Sequence, residues 1–224
     1  MGFVLKPFGD SAVLLTFGKE INLQVHQEIV SYVNALKEKR VFGVLDVIPA
    51  YTSITVQYDF LILSFEELKC ELKKLNYRHK IAAKPNLVEI PVCYHKSFAP
   101  DIEYLCAYTG LSNAELIEIH TSKDYLVYML GFTPGFFYLG GMDARLFCPR
   151  KENPRLKIES GSVGIAGHQT GVYSLDSPGG WQLIGKTPVK IFNKENTKEF
   201  FKVKQGDLVR FVEISLDEYN NFLV

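Results

Sequence analysis

Dense glycine and proline punctuation between Gly131 and Pro188 restricts the fold of this chain more than any other feature. Eleven of the 17 glycines and five of the ten prolines lie in this segment, between short apolar runs such as SVGIAG and GVYSL. Long helices and βαβ units need longer uninterrupted runs than this spacing allows. The segment therefore predicts short strands joined by tight turns, in a closed or sandwiched, mainly-β domain.

The first 85 residues have a different sequence pattern, which predicts an α+β domain. Four runs rich in β-branched and aromatic residues alternate with two amphipathic helices in the order ββαββα. Asn22 is expected to cap the first helix, and Ser64 with Glu67 predicts a capping box at the second. This order favours an antiparallel sheet covered by helices. The predicted strands are Val4–Phe8, Ala12–Phe17, Val44–Ile48 and Ser53–Tyr58.

A domain boundary is predicted within residues 76–86, NYRHKIAAKPN, where apolar periodicity is lost and basic residues accumulate. This gives an N-terminal domain of residues 1–85 and a C-terminal domain of residues 86–224. Further elements of the second domain are predicted as strands Val88–Cys93 and Asp207–Ile214, a capping box at Ser112 and Glu115, and a short helix over Ser215–Phe222.

Charge and composition exclude several classes of protein. Twenty-five basic residues balance 25 acidic ones, so the chain lacks the positive field that nucleic acids and anionic membranes require. No run approaches the roughly 20 apolar residues of a membrane span, and the start, MGFVLKPFGD, does not resemble a secretory signal. The cytoplasm is the predicted location. The four cysteines form no C-x-x-C pair, which predicts reduced thiols and no metal site.

The segment Gly180–Thr187 matches the phosphate-loop pattern G-x-x-x-x-G-K-[ST] letter for letter. A phosphate loop follows a buried strand and begins a helix, whose amides hold the phosphates. Here the preceding residues are DSPG, and the following residues, PVKIF, have a strand pattern. The context therefore favours a strand that ends at a turn.

A polar cluster at His168, Gln169 and Thr170 lies between two glycines, Gly167 and Gly171. Side chains on such a turn can project toward a ligand where apolar strands end. The alternative is an exposed turn with a purely structural role. The nearby spaced glycines, Gly161 to Gly167, do not form a dinucleotide fingerprint and are interpreted as bends within a small barrel.

Aromatic and arginine residues precede this cluster. The run GFTPGFFYLGG, which contains Phe136 and Tyr138, is either a barrel corner filled by rings or an aromatic wall for a flat ligand. Arg145, Arg150 and Arg155 follow at five-residue steps, with a proline before each of the last two. Guanidinium groups held in this way are suited to carboxylate or phosphate, although solvated surface charge is the alternative.

Four linked motifs, YMLGFTPGFFYLGGMD, CPRKENPR, GSVGIAGHQTGVY and SPGGWQLIGKTP, resemble in order and spacing the allophanate hydrolase subunit 1 family. That family includes the kinase-inhibitor protein KipI and the B subunits of ATP-dependent 5-oxoprolinase. The resemblance implies an α+β N-terminal domain followed by a mainly-β, cyclophilin-like barrel domain. Fold alone does not imply an activity, because function depends on the site.

The resemblance also implies a function, namely a 5-oxoprolinase subunit that hydrolyses 5-oxoproline to L-glutamate in a complex and is inactive alone. The implied partners are a homologous C subunit, similar to allophanate hydrolase subunit 2, and an A subunit of a different fold. ATP, with Mg²⁺, would be held by the complex, and neither is assigned to this chain. The alternatives are an inhibitor of a sensor histidine kinase, an allophanate or urea-amide hydrolase subunit, and a scaffold subunit without catalytic residues.

Residue types and motif positions give the expected roles in such a site. Arg155 is expected to bind an anion, and His168 and Gln169 to orient the amide or transfer a proton. Backbone amides of glycines could contact anionic oxygens. The remaining candidate substrate-binding residues are Phe136, Tyr138, Arg145, Gly167, Thr170, Gly179, Gly180 and Trp181.

Overall fold

The computed structural model describes residues 2–77, 85–195 and 201–222. Contacts along the chain separate two units, Met1–Lys84 and Pro85–Val224. The connection expected at residues 76–86 lies mostly outside the described residues, so the two-domain division stays a prediction.

The first unit is a four-stranded antiparallel sheet with two helices. The strand order is β1-β2-β4-β3, which places β2 and β4 in the centre and leaves β1 and β3 as edges. Its elements are β1 (Val4–Pro7), β2 (Ala12–Thr16), α1 (Leu23–Lys39), β3 (Val44–Pro49), β4 (Ser53–Tyr58) and α2 (Phe65–Lys73). The predicted ββαββα order is confirmed.

Alternating apolar residues explain why this sheet buries one face. Val13 and Leu15 of β2 are fully buried, as are Ile54 and Val56 of β4, and α1 contributes Ile29 to the same core. The predicted caps are present. Asn22 Oδ1 accepts a hydrogen bond from the Val25 amide at 2.9 Å, and Ser64 and Glu67 form the capping box of α2.

The second unit combines short strands with small helices. Its elements are β5 (Leu87–Val92), α3 (Ile102–Thr109), α4 (Asn113–Thr121), β6 (Asp124–Leu130), β7 (Phe137–Gly140), a 3₁₀ turn (Ala144–Leu146), β8 (Arg155–Ile158), β9 (Ser162–Ala166), β10 (Gln169–Val172), β11 (Ser177–Gly179), β12 (Gln182–Lys186), β13 (Leu208–Glu213) and α5 (Leu216–Asn221). The capping box at Ser112 and Glu115 is present at α4, as predicted. No described helix has the length and apolar character needed to cross a bilayer.

The prediction of a closed barrel is wrong for the described residues. Their strands form three separate sheets, ordered β5-β13-β6-β7, β10-β9-β12 and β11-β8. The strands of the two smaller sheets are only three to five residues long, and register shifts interrupt β11 and β12. Bulges bend and end a hydrogen-bond ladder, so these short ladders stop before a barrel closes. One pairing, between β5 and β13, is parallel.

An aromatic cluster forms a small core of its own in this unit. We define it by Phe136, Tyr138, Tyr173 and Trp181, which pack with Ile158, Ala166 and Leu183. A larger core includes buried residues of the helices α3 and α4 and of the sheet β5-β13-β6-β7. Three of the predicted site residues, Phe136, Tyr138 and Trp181, belong to the aromatic cluster, and Gly179 lies against its Tyr173.

Candidate functional site

The polar cluster at residues 167–170 is part of a β-hairpin. Ala166 of β9 pairs with Gln169 of β10, so Gly167 and His168 form a two-residue turn. Gly167 has a φ of +59°, a backbone conformation that glycine adopts readily and that such turns require. The turn exposes His168, whose ring packs on Phe147 with centroids 4.7 Å apart. His168 is therefore accessible to a ligand.

Thr170, by contrast, is fully buried. Its hydroxyl donates to the Gly164 carbonyl at 3.1 Å and lies 2.8 Å from Nε2 of His120. Since a carbonyl can only accept, the hydroxyl proton is used there, and the Thr170 oxygen accepts from Nε2–H. Nδ1 of His120 is then the acceptor for the Tyr94 hydroxyl, at 2.7 Å. Thr170 belongs to this interior network, so we leave it out of the candidate site.

The aromatic cluster is packed rather than open. Phe136 and Trp181 meet edge to face with centroids 5.5 Å apart, and Tyr173 contacts both. These three rings are almost completely buried. The accessible ring beside them is Phe132, which is 61% exposed, and Tyr138 is half-buried. Phe136 and Trp181, which were predicted to bind substrate, are therefore packed in the interior.

Gly179 leaves space for Tyr173, whereas a Cβ on Gly180 would meet its nearest neighbour, Pro154, at an ordinary 3.6 Å. A Cβ on Gly179 would lie 2.3 Å from the Tyr173 hydroxyl oxygen, closer than any side chain tolerates. The Gly180 carbonyl accepts a hydrogen bond from the Lys151 amide at 2.7 Å. Gly179 therefore allows the end of β11 to approach the aromatic cluster closely.

Arg155 is tied to a buried carboxylate, Asp101, that no sequence motif marks as a site residue. Asp101 Oδ1 accepts from Arg155 Nη2 at 2.7 Å and from Lys151 Nζ at 3.0 Å, while Oδ2 accepts from the Leu183 amide at 2.7 Å. Burial alone would raise the pKa of Asp101, but these three donors together hold it below its usual value. Arg155 Nη1 is buried and has no partner among the described residues.

The other two arginines differ in how they are paired. Arg145 forms a two-point ion pair with Asp143, at 3.0 and 3.1 Å, and its side chain is 64% exposed. Its contacts do not connect it to the aromatic cluster. Arg150 is exposed and forms neither a hydrogen bond nor an ion pair within the part of the chain that the structure describes.

The phosphate-loop match is a strand, as interpreted. Gln182–Lys186 is β12, whose backbone pairs with β9 and with Cys93. Amides used in a sheet cannot surround a phosphate, and Lys186 is paired with Glu159. The Gly180–Thr187 segment is therefore not a phosphate loop. No group of three His, Cys, Asp or Glu residues in the described ranges could hold a metal ion.

A family model and several known proteins match this chain along most of its length. A family model described as carboxyltransferase domain, subdomain C and D, matches residues 3–202. The 5-oxoprolinase B subunit of Bacillus subtilis (strain 168) is 41% identical over 232 aligned positions, 98% of this chain and 96% of that protein. The B subunit of the same enzyme from Escherichia coli O157:H7 is 37% identical over 91% of this chain and 93% of its own length.

A solved structure of TTHA0988 has the same fold, with a TM-score of 0.81 and 34% identity over 91% of this chain. This chain corresponds to 40% of that longer one. The family model and the two relatives confirm the resemblance carried by the motifs between residues 128 and 188. The chain belongs to the carboxyltransferase domain C and D family, together with the B subunits of 5-oxoprolinase.

Proposed function

We propose that this chain is the B subunit of an ATP-dependent 5-oxoprolinase, which hydrolyses 5-oxoproline to L-glutamate together with partner subunits. The observation that carries this proposal is the 41% identity to the Bacillus subtilis B subunit over nearly the whole length of both chains. A match that covers 98% of this chain and 96% of the relative favours the same role over one shared domain.

The role that we propose for this chain within the complex follows from its functional groups. A lactam is a stable amide, so its hydrolysis needs activation of the carbonyl group by positive or hydrogen-bonding groups. The one phosphate-loop match of this chain is a strand, and we assign ATP and Mg²⁺ to the partners. These partners are the C subunit, similar to allophanate hydrolase subunit 2, and the A subunit. This chain would contribute to binding the lactam.

The groups proposed to contact the lactam lie on the hairpin turn and beside the aromatic cluster. His168 is exposed at the turn, and Gln169 follows it at the start of β10. An imidazole and a carboxamide can both donate and accept hydrogen bonds, as a lactam requires. Arg155 would act indirectly, because its Nη2 group is bound to Asp101 and its Nη1 group is buried; it holds the start of β8 in place.

The test is ATP-dependent glutamate release from 5-oxoproline, measured for this chain alone, for the partner subunits without it, and for the complete mixture. We expect turnover only in the complete mixture. Absence of turnover in every combination, with the partners folded and bound to this chain, would contradict the proposal. It would favour regulation of a histidine kinase or an allophanate or urea-type amide substrate instead.

A further inference from the structure

Of the three arginines spaced at five-residue steps, Arg150 is the one whose charge is not offset by a described carboxylate. Arg155 is paired with Asp101 and Arg145 with Asp143. Arg150 is exposed and has no hydrogen-bonding or ionic partner in the described ranges. An unpaired guanidinium is suited to bind a carboxylate through two parallel hydrogen bonds.

The backbone holds Arg150 next to Trp181 of the aromatic cluster. On one side, the Pro149 carbonyl accepts from Gln182 Nε2 at 3.1 Å, and on the other the Lys151 amide donates to the Gly180 carbonyl at 2.7 Å. These two bonds flank Arg150 on one segment and Trp181 on the other, so the backbones of the two residues lie close together. Burial raises the pKa values of Tyr138 and Tyr173, and the charge of Arg150 acts on both in the opposite direction.

Phe132 covers the same cluster in a strained conformation. Its φ is +69°, and the Thr133 amide donates to the Gly131 carbonyl across it at 2.9 Å, which closes a three-residue γ-turn. Bulky residues rarely adopt positive φ, and such strain persists where structure or function requires it. The Phe132 ring is 61% exposed and meets Phe136 and Tyr173 edge to face, at 5.4 and 6.5 Å.

We propose that Arg150 and Phe132 form a subsite for a small carboxylic acid with a flat amide or ring. Arg150 binds the carboxylate, and the Phe132 ring covers the flat part of the ligand against the aromatic cluster. The Phe132 ring contacts Tyr173, and the charge of Arg150 acts on the same tyrosine. The identification of this ligand as 5-oxoproline, with its carboxylate on Arg150, rests on the proposed function.

The test uses the fluorescence of Trp181, which is the only tryptophan of the chain and lies within the cluster. The purified chain is titrated with 5-oxoproline and with 2-pyrrolidinone, the same lactam without the carboxylate. We expect a saturable change and tighter binding of 5-oxoproline. Arg150→Gln should weaken 5-oxoproline binding by about tenfold or more, as expected for a lost charge-assisted hydrogen bond, and should remove the preference. Arg150→Lys should retain part of it.

Three further variants separate binding from structural effects. Phe132→Gly should weaken binding at least about threefold without lowering the unfolding midpoint, because glycine adopts the positive φ without strain. A ring needed only for packing would lower the midpoint instead. Phe132→Tyr should bind as the wild type does. Arg210→Gln, which removes an exposed positive charge paired with Asp124, is the matched control and should not change binding.

The outcomes distinguish this inference from the proposed function. Wild-type affinity in Arg150→Gln, or no fluorescence change in the wild type, would overturn the subsite even if the complete complex releases glutamate. Arg150-dependent binding of 5-oxoproline without glutamate release would leave the subsite in place and contradict the proposed function.

Discussion

At the scale of single residues, His120 shows how burial fixes a protonation state. Its ring is fully buried, stacks on Phe211 at 4.5 Å and is hydrogen-bonded at both nitrogens. Burial lowers the pKa of His120 to about 3, so the ring is neutral throughout the physiological range. The neutral ring links Tyr94 to Thr170, directly behind the hairpin that carries His168.

This shift predicts that the chain loses stability in mild acid. Below the ordinary histidine pKa of about 6.5, the unfolded chain binds a proton at His120 that the folded chain does not bind. The stabilisation is therefore complete above pH 6.5 and falls as the pH decreases toward about 3. Between these pH values, His120 is expected to lower the free energy of unfolding by about 1.4 kcal/mol for each unit by which the pH falls. Urea denaturation between pH 4 and 7 measures it.

His120→Gln is the matched comparison, because glutamine retains hydrogen-bonding groups but does not titrate. The free energy of unfolding of this variant should depend less steeply on pH than that of the wild type, by the same amount per unit. Equal slopes in the two proteins would contradict a buried neutral His120. The buried His26, whose pKa burial lowers to about 4, contributes to both slopes and cancels in the difference.

At the scale of elements, local sequence signals determined where helices and strands begin and end. The S-x-x-E pattern produced capping boxes at Ser64 and Ser112 as predicted, and a third occurs at Ser215. Each box involves only residues three positions apart, so no distant contact is needed. The two-residue turn at Gly167 is local in the same sense.

Asp101 ties three elements together and could not be found from such signals. It lies at the start of α3, but its side chain makes no cap hydrogen bond and instead contacts β8, β12 and the loop that precedes β8. Its partners are 50 to 82 residues away in sequence. A Pro-Asp pair before a helix predicts a cap, and only the folded chain shows a buried ion cluster.

Asp101→Asn is expected to destabilise the fold by about 3 kcal/mol, since Arg155 and Lys151 lose the charge that balances them in a partly buried site. Urea denaturation of the full chain measures this loss. Glu66→Gln removes an exposed ion pair with Lys69 and should cost less than about 0.5 kcal/mol. Similar losses in the two variants would show that Asp101 does not hold these elements together.

At the scale of the whole molecule, each apolar core is formed by residues from only one of the two predicted domains. The described core of the first unit is drawn from residues up to Tyr77, and the two cores of the second unit begin at Val88. A core that is complete within one segment can support independent folding. This arrangement supports the predicted division into residues 1–85 and 86–224.

The corresponding prediction is that a fragment of residues 1–85 folds alone. Its far-ultraviolet circular dichroism should show helix and sheet, and urea should unfold it in one cooperative transition. The fragment is short, so a stability of only a few kcal/mol is expected. A spectrum without secondary structure, or a gradual transition, would contradict the division.

The sequence by itself determined the ββαββα order of the first unit, the approximate bounds of its strands, the helix caps and the family. These features depend on patterns within a few residues or on linked motifs. Only the tertiary structure decided that Thr170 is interior, that Phe136 and Trp181 are packed, and that the described strands do not close a barrel. It also decided that, of the three arginines at five-residue steps, Arg150 has no partner among the described residues. Each of these depends on which distant groups meet, because burial and charge compensation arise between segments far apart in the chain.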